Sequence, residues 1–185
     1  MADFKEAYKH IIKKEFSNKP ESFLHINKNE NGYTVGGVYQ RWNPKAIEWG
    51  FIDRVMKMCQ GDIKTASRLL YFDKEIHIQV YKAFELKYWN KHRLSEINSQ
   101  LIANEIILAL INFGTDAIVY AQQIVGAKDD GIMGSKTIYA LNNYNENRFS
   151  LEFDIKEIEH YRKIVKANPK MAINLKGWIN RANYV

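Results

Sequence analysis

DFKEAYKHIIKKEF, residues Asp3 to Phe16, and the β-prone stretch that follows it to Tyr39 decide the fold. Phe4, Tyr8, Ile11 and Ile12 fall at spacings that form one stripe of an amphipathic helix. Glu15 continues that stripe, three residues after Ile12 and four after Ile11. A carboxylate on the apolar face in the last helical turn is unusual. Phe23-Leu24-His25-Ile26 and Tyr33-Thr34-Val35-Gly36-Gly37-Val38-Tyr39 are rich in β-branched and aromatic residues. Between them Asn27-Lys28-Asn29-Glu30-Asn31-Gly32 has strong turn composition, with Asn-Gly at its end. The pattern predicts a short β-hairpin whose second strand is loosened by Gly36-Gly37.

Beyond the hairpin the chain reads as helix nearly to its end. Asn43-Pro44 has the chemistry of an N-cap and first helical position, and Ile47, Phe51, Val55 and Met58 mark an apolar face after it. Asp62 and Asp73 are suitable caps for two further helices, the second carrying Ile76, Val80, Phe84 and Tyr88. Gln100 to Phe113 is the most apolar segment and stops at Gly114, so it is expected to be the central buried helix. Another helix runs from Thr115 or Asp116 to Gly126. Ser135 is placed to cap a short one through Asn142, and Asp154 with Glu157 resembles a capping box for one ending near Ala167. The expected class is mostly α (α+β), helical with one small N-terminal β-hairpin. Two regions are expected, residues 1–94 and 95–185, packed as one compact unit.

Composition narrows the function. The 185 residues carry Lys+Arg 27 against Asp+Glu 21, a net charge of +6. That favours approach to polyanions, including bacterial envelope polymers, and interactions weakened by salt. A single cysteine, Cys59, rules out an intramolecular disulfide and a cysteine-rich zinc site, and the five histidines form no HExxH pair. No metal and no cofactor are expected. The longest apolar run, Ile106 to Ile111, is far short of the roughly 20 residues that span a bilayer. The N-terminus lacks a basic head and apolar core, so the expectation is synthesis in the cytoplasm without a signal peptide. Nucleic-acid binding would rest on charge alone, because no basic recognition helix or binding motif accompanies it.

Several segments, in order, resemble glycoside hydrolase family 108, the phage-type N-acetylmuramidases and secretion-activator proteins. They are the helix end at Glu15, Gly32 to Val38, Tyr88-Trp89-Asn90, Ser99 to Ala103, Asn112-Phe113-Gly114 and Ala121-Gln122-Gln123. The most specific are Asp130-Gly131-Ile132-Met133-Gly134-Ser135-Lys136-Thr137 and the ending Gly177-Trp178-Ile179-Asn180-Arg181. The chain departs from the family where Phe16-Ser17-Asn18 replaces Gly-Gly-Tyr. It also has 18 residues between Glu15 and Thr34, a longer interval than the family's.

The resemblance implies a lysozyme-like glycosidase with a predicted peptidoglycan-binding C-terminal region. Its substrate would be the β-1,4 bond between N-acetylmuramic acid and N-acetylglucosamine in peptidoglycan glycan strands. Glu15 is then the general acid, a role that needs a carboxyl group held protonated by an apolar surrounding and the negative end of its helix. Glu30 in the turn is a candidate for the second carboxylate, with Asn29 and Glu21 also open, and Thr34 for positioning water. Tyr33, Tyr39 and Trp42 are candidates to line the sugar groove. The Asp129-Asp130-Gly131 loop lacks the alternating oxygen ligands of a calcium site and is read as a turn that docks two helices. A monomeric phage or prophage endolysin is implied, reaching the periplasm or cell wall with holin-dependent export. The alternatives are a lytic transglycosylase and a catalytically impaired cell-wall-binding or scaffolding protein.

Overall fold

The computed structural model describes residues 1–16, 19–26 and 31–182, and for Glu15, Phe16 and Arg181 the backbone alone. The chain divides into two compact units, one of residues 8–87 and one of residues 1–7 with 88–185. Helix α1, Phe4–Phe16, contributes its first turn to the second of these and the remainder to the first.

In the unit of residues 8–87, α1 buries Tyr8 and Ile11, the apolar stripe expected from its spacing. After a 3₁₀ turn at Pro20–Ser22, three short strands follow, β1 (Leu24–His25), β2 (Thr34–Val35) and β3 (Val38–Tyr39). They form one antiparallel sheet in the order β1-β2-β3, with Leu24 opposite Val35 and Thr34 opposite Tyr39. Gly36-Gly37 therefore turns the chain into a third strand instead of loosening the second. Both glycines have positive φ, 53° and 85°, as a tight hairpin turn requires. Gly36 also has no room for a side chain, because a Cβ there would lie 2.8 Å from Phe23 Cε2 and 3.0 Å from Val80 Cγ1.

Three helices complete this unit, α2 (Trp49–Met58), α3 (Ile63–Tyr71) and α4 (Lys74–Phe84). Asp62 and Asp73 cap α3 and α4 as expected, accepting from the N–H groups of Lys64 and Ile76. Pro44 does not open α2, which starts at Trp49. The Asn43 side chain is used elsewhere: its Nδ2 donates to the Tyr39 carbonyl at 2.7 Å, and its Oδ1 accepts from Lys87 Nζ at 2.9 Å. The buried face of α2 is Trp49, Ile52 and Val55, while Met58 is exposed and Phe51 half-buried. Phe23, fully buried, stacks on His77 at 4.7 Å and meets Tyr71 edge-on. Ser67 ties α3 to the start of the sheet, donating to the Pro20 carbonyl and accepting from Leu24 N–H at 2.9 Å.

The other unit is built on α5, Gln100–Phe113, in which every residue from Ile102 to Leu110 is buried. Ser99 caps its start and Gly114, with φ of 62°, ends it. The chain's first residues are fastened alongside: Ala2 N–H donates to the Ile97 carbonyl, and Asp3 N–H to Gln100 Oε1, both at 2.7 Å. Helices α6 (Asp116–Val125), α7 (Ser135–Asn142), α8 (Glu146–Ala167) and α9 (Ala172–Ala182) follow. Helix α8 begins at Glu146, capped by Asn145, and runs unbroken through Asp154, so no capping box starts there. Phe149, Phe153 and Tyr161 give it a buried row at helical spacing, and Arg148 pairs with Glu152 one turn on at 2.8 Å. The fold is mostly helical with one small sheet, the class expected from the sequence.

Candidate functional site

The unit of residues 8–87 has an open groove of about 490 Å³ lined by Tyr33, Asp53, Met56, Lys57, Gln60 and Gly61. Tyr33 is placed by the start of β2: its N–H donates to Gln40 Oε1 at 3.1 Å and its carbonyl accepts from Gln40 N–H at 2.9 Å. Asp53 stands on the exposed side of α2, the helix whose opposite face buries Ile52 and Val55. The Asp53 carboxylate lines the same groove as Tyr33 and lies near enough to act on its phenol. Partial burial pushes the Tyr33 phenol above its ordinary pKa of 10.0, and the neighbouring Asp53 charge pushes the same way. The phenol is thus a hydrogen-bond donor at neutral pH. Tyr33 is one of the residues expected from the sequence; Asp53 is not, because its place 20 positions away in the chain carries no local signal.

The floor of the groove is the end of α2. Gln60 and Gly61 both have positive φ, 53° and 82°, and close the helix with Gly61 N–H donating to the Met56 carbonyl at 3.0 Å. Left-handed backbone at a helix end normally falls to glycine, yet Gln60 holds it with its side chain exposed.

The other expected site residues are distributed as follows. Glu15 lies in the last turn of α1, with its side chain outside the described residues. Glu30 and Asn29 also lie outside them. Thr34, on the central strand, is 6% exposed, beside Tyr39 on β3. Tyr39 is half-buried, and its hydroxyl donates to the Asn31 carbonyl at 3.3 Å. Trp42 is 69% exposed, with the Arg41 guanidinium 5.5 Å over its ring. It is an open aromatic platform. Glu21 is engaged by Arg68 at 2.9 Å, which holds its carboxyl below the ordinary value. Among the described residues, no group of three or more His, Cys, Asp or Glu could hold a metal ion.

In the other unit, the Asp130-Gly131 loop docks α6 against α7. Gln122, 1% exposed, donates from Nε2 to Asp130 Oδ1 (3.0 Å), the Ile132 carbonyl (3.0 Å) and Thr137 Oγ1 (3.1 Å). Its Oε1 accepts from Gly131 N–H at 2.9 Å. The bonds from Gln122 and Ile132 N–H, with Lys128 nearby, keep the Asp130 carboxyl below its ordinary value. Trp178 stacks on Tyr161 at 5.2 Å, so its ring packs within the helices.

Comparison with known proteins gives this region its assignment. Residues 116–183, the span of α6 to α9, match the family described as "Predicted Peptidoglycan domain". The C-terminal region is therefore peptidoglycan-associated. The whole chain resembles the solved structure of Brucella abortus SagA, with 18% identity and a TM-score of 0.64, over 97% of this chain and 88% of that one. At that identity the likeness establishes a shared fold. No curated protein matches the chain. Among the described residues, no helix is long and apolar enough to cross a membrane.

Proposed function

We propose that the protein is a peptidoglycan hydrolase of the family 108 type, an N-acetylmuramidase cleaving the β-1,4 bond between N-acetylmuramic acid and N-acetylglucosamine. The observation that carries the reading is the peptidoglycan-family match of residues 116–183. The groove of residues 8–87, with its aromatic ring, carboxylate and amide, supports a saccharide substrate. In this reading residues 1–94 supply catalysis and residues 95–185 the wall-associated region.

Glu15 is the proposed general acid, donating its proton to the leaving glycosidic oxygen. Its position suits the task, because the carbonyl end of α1 disfavours an ionised carboxylate. Thr34 is the proposed water-positioning hydroxyl and Glu30 the proposed second carboxylate, while Tyr33, Tyr39 and Trp42 contact sugar. The protein would work as a monomer without a cofactor. As a phage or prophage endolysin, it would be made in the cytoplasm and pass to the wall with a holin.

Mass spectrometry of purified sacculi digested by the protein tests this reading. Products with a reducing-end muramic acid are expected. A 1,6-anhydro product would make the protein a lytic transglycosylase. Retention on sacculi without release of fragments would make it a wall-binding protein.

A further inference from the structure

The charge of the protein is unevenly placed. All 21 Asp and Glu lie within residues 1–159, where they balance 21 Lys and Arg, so the whole net charge of +6 belongs to residues 160–185. That stretch holds Arg162, Lys163, Lys166, Lys170, Lys176 and Arg181 and no acid. It forms the end of α8, a 3₁₀ turn at Pro169–Met171 and α9. Trp178, stacked on Tyr161 at 5.2 Å, fastens α9 to α8. Arg162, Lys163, Lys166, Lys170 and Lys176 are exposed, and none of them is held in an ion pair. Cations gathered on one helical hairpin without local counter-charge suit a polyanionic partner.

Ile173 selects among polyanions. It is 88% exposed. The packed row of α9 is Leu175, Trp178 and Ile179, all half-buried, with Ala182 buried one turn on. At about 100° per residue Ile173 falls on the opposite face, which it shares with Lys176 and Asn180. Lys170 precedes it by three residues and Lys176 follows it by three. A hydrated polymer such as a nucleic acid backbone gives an isoleucine in that place nothing to bury against. A lipid surface rewards it, because the side chain enters the acyl boundary while the surrounding lysines meet anionic headgroups.

We propose that the α8–α9 hairpin is a docking surface for an anionic phospholipid membrane, with Ile173 inserted below the headgroups and Lys166, Lys170 and Lys176 set against their phosphates. The inference is independent of the activity proposed above.

Flotation of the full chain with vesicles of phosphatidylcholine and phosphatidylglycerol, compared with phosphatidylcholine alone, tests the assignment. Retention is expected on the anionic vesicles only, weakening as salt rises. Ile173→Ser should weaken it about tenfold, through the lost burial of an aliphatic side chain. Replacing Lys166, Lys170 and Lys176 together by Gln should weaken it about 100-fold, since each lysine near an anionic surface contributes roughly fivefold. All four positions are exposed, so both variants should keep the wild-type thermal midpoint. A DNA duplex, titrated with the same proteins, is the competing polyanion. No retention on anionic vesicles, equal retention on neutral ones, or wild-type retention by either variant would overturn the membrane surface. Duplex binding that replaces vesicle retention and falls in the lysine variant would make the hairpin a nucleic-acid surface instead.

Discussion

Gln60 and Gln122 are the same side chain in opposite settings, one in each unit of the chain. Gln122 is buried in α6 with both ends of its amide engaged by Asp130, Gly131, Ile132 and Thr137. Gln60 is exposed at the end of α2, on a strained backbone, facing a groove. The Asp130 loop of the peptidoglycan-family region thus uses its conspicuous polar residues to hold helices together. The unit of residues 8–87 turns polar groups outward along an open groove. A conspicuous sequence motif can therefore mark fold maintenance, as the Asp130 loop does.

Four experiments sharpen or break that contrast. Gln122→Ala is expected to have the largest effect on stability, about 2–4 kcal/mol, because it leaves a cavity and strands Gly131 N–H and the Ile132 carbonyl. Urea unfolding measures it, and a loss below about 1 kcal/mol would mean that the amide is not the pin of this loop. Gly36→Ala in the sheet turn should cost about 2–3 kcal/mol, combining left-handed strain with overlap against Phe23 and Val80. A wild-type midpoint in that variant would contradict the packing described for the turn.

The third experiment uses pH. Burial, reinforced by Lys91, lowers the His92 pKa below its ordinary 6.5. Burial also lowers that of His160, where Asp116 opposes the shift and Lys163 adds to it. Both residues belong to the unit of residues 88–185. The unfolded chain therefore takes up these protons first as pH falls. Their contribution is present above pH 6.5 and is lost as pH drops through the lowered values. Urea midpoints should decline over that window, and a His92→Gln/His160→Gln double variant should flatten the decline. An unchanged slope in the double variant would assign the decline to other groups. The smallest effect belongs to Gln60→Gly, a gain of about 1 kcal/mol in equilibrium unfolding from relief of the left-handed strain. A loss of stability there would show that the Gln60 side chain supports the fold.

What the sequence revealed follows from the range of the forces involved. Helices α3 and α4 could be started from Asp62 and Asp73, and α5 and α6 ended at Gly114 and Gly126, because caps act within one turn of chain. The start of α8 was misread because Asp154 and Glu157 mimic a cap, whereas Asn145 nine residues upstream supplies the real one. Asn43 failed as a cap because the Tyr39 carbonyl and the distant Lys87 occupy its side chain. Gly36-Gly37 was read as a weak strand because its need for space comes from Phe23 and Val80, far off in sequence. Of the site, Tyr33 was legible as an aromatic next to a turn. Asp53 and Gln60 were not, since only the packing of α2 beside the sheet brings them to Tyr33.

The most direct test of the account is release of soluble muropeptides from purified sacculi by the wild-type protein and by Glu15→Gln. Wild-type release, with a loss of about 100-fold or more in a variant whose unfolding curve is unchanged, is the predicted result. Equal release by the two proteins would contradict the assignment of Glu15 as the proton donor, and with it the mechanism proposed for this chain.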